Sequence, residues 1–365
     1  MRYLSAGETH GKGILALLDG FPAGLAVNHA QIDAELKRRQ GGYGRGGRQQ
    51  IENDRVEFLT GLWKGQTTGA PLSLWIANKD YKIDEMPELD APRPGHADLS
   101  GALKYEQPIR PVLERASARE TAARVAAGAL CKQLLELFGL QIVGFVRSIG
   151  EFRWDHNFPA TPEELVSHRN RSVVYSLCPE RDEEAIRLID RFREEGDTLG
   201  GEIEVRAYGV PIGLGSHVQW DQKLDGRLAG AVMSVQAIKA VEFGSVFECA
   251  VKSGSRVHDP IVYDSQKGYS RTQNEAGGIE GGMSNGEPIV LRAAMKPIPT
   301  LKKPLASVNL RTLAPQDATF ERSDVCAVPA ASVVLENAVA IEIADAFLQR
   351  YGSDSLTQIR KNRGK

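Results

Sequence analysis

Lys37, Arg38, Arg39, Arg45 and Arg48 place five cations in twelve residues, with no acid among them and five glycines in between. Arginine forks match phosphate and carboxylate oxygens, and glycine lets backbone N–H groups approach the same oxygens. The stretch therefore reads as an anion-binding loop. A solvated flexible loop and an arginine/glycine-rich RNA contact have the same composition, which alone does not separate the three. A second stretch, Arg93-Pro94-Gly95-His96-Ala97-Asp98, is a stiff turn presenting a histidine, with Lys104, Tyr105 and Arg110 following. Histidine suits general acid/base work near neutral pH, although a turn histidine is more often a structural hydrogen-bond donor. The same two readings hold for His10 within Gly7-Glu8-Thr9-His10-Gly11.

Three further stretches carry weaker signals. Glu114-Arg115-Ala116-Ser117-Ala118-Arg119-Glu120-Thr121 sits where a helix is expected to begin, and a helix start offers unpaired N–H groups and a partial positive charge to an anion. The plainer reading has Ser117 capping the helix and the arginines paired with Glu114 and Glu120. Residues 277–286 hold five glycines, a surface for a flat ligand, and the proline-stiffened Lys296-Pro297-Ile298-Pro299-Thr300 follows. Neither a dinucleotide-binding GxGxxG after a strand nor a Walker loop is present. Arg322-Ser323-Asp324 alone carries almost nothing.

The elements that must hold these residues are legible in outline. A capping box at Ser117 and Glu120 predicts an alanine-rich helix from Ser117 to near Gly139, packed on several sides. A second small-residue helix is expected from about Lys223 to Lys239, and an amphipathic one from about Ala331 to Tyr351, ending at Gly352. Gln141 to Val146, Glu202 to Val210 and Pro288 to Ala293 read as strands. No linker divides the chain, so residues 1–352 are expected as one catalytic domain. Residues 151–200 are expected as a charge-rich peripheral insertion with a solvated helix over Asp182–Glu195, and 353–365 as a frayed basic tail. Two small-residue helices about 105 positions apart hint at duplication.

Composition narrows the function classes. With 45 Lys+Arg against 47 Asp+Glu the net charge is −2, so outside the 37–48 loop the chain carries −7: a local positive patch on an acidic body, unlike a general nucleic-acid or membrane-surface binder. Cys131, Cys178, Cys249 and Cys326 lie too far apart for a CxxC pair, zinc ribbon or dense disulfide framework. No metal site is expected. Neither a signal peptide nor a long apolar run is found, and a cytoplasmic setting is expected.

Taken together and in this order, the seven segments 7–11, 38–48, 93–98, 114–121, 277–282, 296–300 and 322–324 resemble the chorismate synthase family, with Thr9 standing where many members have Ser. The resemblance covers about residues 1–350. It implies an α+β fold, a β-α-β sandwich with central helices between two antiparallel sheets, internal pseudo-twofold symmetry and a homotetramer. It also implies a carbon–oxygen lyase of the shikimate pathway, which makes chorismate by anti 1,4-elimination of phosphate from 5-enolpyruvylshikimate 3-phosphate and needs reduced FMN without net redox change. By motif match, His10 would serve the leaving phosphate, His96 the flavin, and Asp324 the ring proton. Arg39, Arg45, Arg48, Arg110 and Arg119 would bind the substrate anions. Arg115, Ala116 and Ser117 at the start of the first long helix, Gln236 and Ala237 on the second small-residue helix, Gly281, the run Lys296, Pro297, Ile298, Pro299 and Thr300, and Arg322 would contact FMN. Some members reduce their flavin with NADPH; a single insertion in this chain favours an external flavin reductase. The rival from another class is an RNA- or polyanion-binding module built on the 37–48 loop, which leaves His96, Asp324 and the second glycine cluster without a role.

Overall fold

The structure is a computed structural model and describes residues 1–46, 53–154, 161–266 and 268–364. Elements are labelled here in chain order: β1 Arg2–Ala6, β2 Gly13–Asp19, α1 His29–Gln40, β3 Glu57–Thr60, β4 Leu72–Ala77, α2 Asp98–Tyr105, α3 Ile109–Ala116, α4 Thr121–Glu136, β5 Gln141–Ile149, β6 Phe152–Arg153, α5 Pro162–Arg171, α6 Asp182–Glu195, β7 Gly201–Tyr208, α7 Leu224–Met233, β8 Ile238–Phe243, β9 Ile289–Met295, α8 Val328–Tyr351 and α9 Leu356–Arg363. One sheet has the order β1-β2-β4-β3 and the other β8-β9-β7-β5-β6. Every named strand pairing is antiparallel, with Gly13 opposite Ala77 in the first sheet and Ile289 opposite Ala207 in the second. Strand alternation turns Leu72, Leu74 and Ile76 inward from one sheet and Ile289, Leu291 and Ala293 inward from the other.

Between the sheets lie α4 and α8. The first packs on β2 and β4, the second on β5 and β7, and the two pack on each other, with α1 against both. This is the expected β-α-β sandwich. A helix between two sheets has no solvent face, so α4 buries Ala122, Ala123, Val125, Ala126, Ala127, Ala129 and Leu130 in succession, and α8 is buried from Val328 through Ile341. The expected amphipathic character of the last long helix is therefore corrected: it is apolar nearly all round. Close approach is bought by glycine, since a Cβ on Gly128 would lie 2.4 Å from the Asn337 carbonyl oxygen. The core also holds an ionic cluster. Glu336 on α8 accepts from Arg38 (3.0 Å), Arg169 (2.9 Å), Lys132 and the Gly144 N–H (2.9 Å), which joins α1, α4, α5 and β5.

Three expected boundaries shift. Helix α4 starts at Thr121: Ser117 is extended (φ −62°, ψ 144°) and its hydroxyl accepts from Thr9 Oγ1 (2.6 Å), while Glu120 turns toward Ser5 and Arg124. Helix α7 ends at Met233, and 238–243 form a strand; Ala237, left-handed at φ +68°, makes the turn that the apolar pattern concealed. Gln236 and Ala237 thus lie on that turn and not on a helix. Finally, the described part of the expected tail, 353–364, is not frayed, because α9 buries Leu356 and Ile359 and Arg363 donates to the Phe138 carbonyl oxygen (2.6 Å); Lys365 lies outside the described residues. Helix α6 spans Asp182–Glu195 as expected but is not simply solvated, since Ala185, Leu188 and Ile189 are buried in the main core. No helix among the described residues is long and apolar enough to cross a membrane.

Candidate active site

A cavity of about 1050 Å³ opens where both central helices begin: Ser117 and Arg119 precede α4, Asp324 and Ala327 precede α8, and all four line it. Two helix N-termini therefore point their partial positive charge toward one space. Among the described residues, nine cationic side chains but three carboxylates line the cavity.

His10 lies on the β1–β2 loop. Its Nδ1 is 2.9 Å from Glu114 Oε1 and its backbone N–H donates to Glu114 Oε2 (2.8 Å). Asn78 Nδ2 donates to the carbonyl oxygens of Glu8 (3.1 Å), Thr9 (3.2 Å) and Gly11 (2.8 Å), so the loop is tied from two sides. Burial pushes the Glu114 carboxyl up, but the hydrogen bonds from His10 and the charge of Arg110 outweigh it, and the net shift is downward. The ionised carboxylate only accepts, so the His10 proton at this contact sits on Nδ1.

His96 repeats the construction within one turn. Its Nδ1 meets Asp98 Oδ1, and Arg93 donates to the same carboxylate from Nε (2.8 Å) and Nη2 (3.1 Å) and to Thr300 Oγ1 from Nη1 (2.8 Å). Burial raises the Asp98 carboxyl, yet the hydrogen bonds from His96 and Arg93 hold it well below the usual range. Gly95, left-handed at φ +77°, offers its carbonyl oxygen to Lys296 Nζ, and a Cβ there would stand 3.3 Å from that ammonium. The histidine turn and the 296–300 run are thereby pinned together. Burial and the nearby Lys239 both lower the pKa of Lys296.

The anion-facing side is built on one carboxylate. Fully buried Asp54 accepts from Arg119 Nη1 (2.7 and 2.8 Å) and, at 3.5 Å, from Arg39; Arg119 Nε also donates to Asn78 Oδ1 (2.8 Å). Burial brings the Arg39 guanidinium down to about 10 against the pull of Asp54, which leaves it charged at neutral pH. Asp324 accepts from Arg45 and from the Gly46 N–H (2.6 Å). Cys326 stands just behind, but burial pushes its thiol up to about 12, which makes it a poor nucleophile.

Of the residues singled out from sequence, the cavity brings together His10, Arg39, Arg45, His96, Ala116, Ser117, Arg119, Gln236, Ala237, Lys296, Ile298, Pro299, Thr300, Arg322 and Asp324. Arg110, Arg115, Pro297 and Gly281 do not line it. Arg110 turns to the Pro87 carbonyl oxygen (2.8 Å) and Glu321 (2.9 Å), and Arg115 to the carbonyl oxygens of Gly7 and Ser5 (both 3.0 Å). Gly281 lies at the tip of a tight hairpin between Ile279–Glu280 and Met283–Ser284. Arg48 falls outside the described residues. Sequence reasoning missed Asp54 and Asn78, which sit in no glycine-rich or cationic stretch, and it missed the use of Asp98 and Glu114, although both lie inside quoted motifs. Arg193 from α6 also reaches the cavity.

A group with a flat ring would fit one wall. Ala116, Ala237, Met295, Ile298 and Pro299 line the cavity with apolar surface, and Gln236 Oε1 is buried without a hydrogen-bond partner among the described residues, an acceptor suited to a ring N–H.

Comparison with known proteins agrees over the whole chain. The family model described as chorismate synthase matches residues 1–348. A chorismate synthase of Desulforamulus reducens is 52% identical, with 99% of this chain and 96% of that protein covered, and one of Aquifex aeolicus is 51% identical with the same coverage. A crystal structure of chorismate synthase superposes with a TM-score of 0.82 at 44% identity, over 100% of this chain and 96% of that one. Order of motifs, fold and half-identical relatives converge, and the chain belongs to the chorismate synthase family.

Proposed function

We propose that the cavity converts 5-enolpyruvylshikimate 3-phosphate to chorismate by anti 1,4-elimination of phosphate, with reduced FMN against the apolar wall. The observation that carries this is the collection of nine cations and two carboxylate-held histidines around one space. The substrate bears a phosphate and two carboxylates, and converging fixed charges both bind it and stabilise the leaving phosphate. Reduced FMN, when bound, would supply reversible one-electron chemistry with no net redox change. Ala116, Ser117, Gln236, Ala237, the 296–300 run and Arg322 would hold it. Arg39, Arg45 and Arg119 orient the substrate anions; His10 donates a proton or positive charge to the departing phosphate; His96 holds the flavin's proton; and Asp324 takes up the ring proton. A homotetramer in the cytoplasm, supplied by an external flavin reductase in place of its own NADPH oxidation, completes the reading.

The polyanion-binding alternative finds no support. Arg38 is turned into the core toward Glu336, Arg39 toward Asp54 and Arg45 toward Asp324, so these three loop cations face inward. The test is anaerobic: purified protein, 5-enolpyruvylshikimate 3-phosphate and chemically reduced FMN, following chorismate absorbance and released phosphate together. Both should appear in equal amounts with reduced FMN and neither with oxidised FMN. Folded, FMN-binding protein that forms no product refutes the proposal, and turnover with NADPH and FMN alone refutes the need for an outside reductase.

A further inference from the structure

We propose that Glu114 is the positioning residue of His10: its buried carboxylate takes the ring Nδ1–H and the main-chain N–H of the same histidine and so presents His10 to the cavity through Nε2. The inference rests on the role given to His10 above. Four observations carry it. Glu114 reaches His10 across 104 residues of sequence, from the last turn of α3 to the β1–β2 loop. Its side chain has no exposed surface, so burying the charge requires that both oxygens be used. Arg110 Nη1 stands 3.5 Å behind Oε1, and the rest of that guanidinium is held by the Pro87 carbonyl oxygen and Glu321, two residues of the cavity lining. Finally, the Thr9 N–H donates to the Glu114 carbonyl oxygen (3.0 Å), so the loop and the end of the helix cannot shift independently.

The choice of a carboxylate is informative. Holding the loop alone would need only an acceptor for the main-chain N–H, which a glutamine supplies. A glutamine amide can both accept and donate, and it would leave the His10 tautomer undetermined. An ionised carboxylate can only accept, so it forces the proton onto Nδ1 and commits Nε2 to the chemistry. Asp98 meets His96 Nδ1 in a similar way from two residues away, with Arg93 bonded to the same carboxylate and its Nη2 also 3.0 Å from that ring nitrogen. Each histidine of the cavity is thus backed by a carboxylate, and each carboxylate by an arginine.

The first experiment needs no variant. In the full chain labelled with 15N at its seven histidines, the signal lost in His10→Ala is read above the imidazole titration range. The expected spectrum is an Nδ1-protonated, Nε2-bare ring, and an Nε2-protonated ring overturns the proposal. In Glu114→Gln the same signal should become a mixture of tautomers; an unchanged spectrum overturns it. Kinetics with reduced FMN supply the second arm. Glu114→Gln should lower kcat by about 10- to 100-fold, on the scale of losing a group that orients a reacting one, with substrate KM changed by less than about twofold. Added to His10→Ala it should cost nothing further, because residues acting as a unit are not additive. An equal loss in both backgrounds, or undiminished kcat in Glu114→Gln, overturns the proposal. Undiminished turnover in His10→Ala would instead refute the role of His10, an outcome distinct from any of these.

Discussion

At the scale of single residues, the cavity separates groups that hold anions from groups that move protons, and substitutions should separate them too. His96→Ala and Asp324→Ala are expected to fold and to bind FMN while losing turnover by about 10²- to 10⁴-fold, the range for a general acid or base. Flavin titration beside a turnover assay checks this, and normal rates in either variant would remove that residue's role. Arg45→Ala is expected to raise the substrate KM through loss of an anion contact. Because Arg45 also braces Asp324, kcat should fall as well, and a pure KM effect would show that Asp324 keeps its place on the Gly46 N–H alone. The motif residues were legible as runs because each lies on one short piece of chain. Their partners were not. Nothing local couples Glu114 to His10, Asp54 to Arg119, or Glu336 to Arg38; those pairs exist only once the sheets have closed on the helices. Arg110 does not line the cavity for the same reason: its partners Glu114, Pro87 and Glu321 lie elsewhere in the sequence or a helical turn away, and only the fold brings them to it.

At the scale of elements, strand content was legible from the β-branched residues, and β5, β7 and β9 fall close to the expected spans. The ends of helices were less so. Ser117 and Glu120 make a capping box in sequence; in the fold Ser117 Oγ does cap, accepting from the Arg119 N–H (3.3 Å), but it caps a 3-10 turn over Ala118–Glu120 that precedes the α-helix at Thr121, and Glu120 turns away to Ser5 and Arg124. The turn after α7 contains no glycine or proline, and it places a non-glycine residue in the left-handed region at a cost of roughly 1 kcal/mol. That strained residue, Ala237, accepts from the Lys296 N–H (2.9 Å) on the cavity wall, so the irregularity sits where the ligand would lie. The contact of α4 with α8 is the least forgiving in the fold. Gly128→Ala is expected to lower unfolding free energy by about 1–3 kcal/mol, the usual range for overpacking, as measured by urea denaturation; an unchanged midpoint would mean that the two helices can move apart freely.

At the scale of the whole molecule, stability should depend on pH in a definite direction. Burial pushes Glu336, Glu35 and Glu204 up, but surrounding cations overcome it and all three end below the usual carboxylate value. A carboxyl that is more acidic when folded stabilises the fold above its unfolded value, about 4, and that stabilisation is lost as pH falls through the folded value. Asp182 and Glu342, raised by burial, work in the opposite sense but have fewer charges around them. The urea midpoint is therefore expected to drop between about pH 7 and pH 3.5, and a constant midpoint would refute the ionic cluster as a source of stability. The convergence of α4 and α8 on the cavity has a different consequence. Guanidinium groups and helix ends do not gain or lose protons near neutrality, whereas imidazoles do. Attraction for the substrate is thus a constant of the architecture, and only the catalytic machinery is adjustable. The KM should therefore stay level around neutral pH, and Lys296, its ammonium weakened by burial and by Lys239, marks the place where that constancy would first break down.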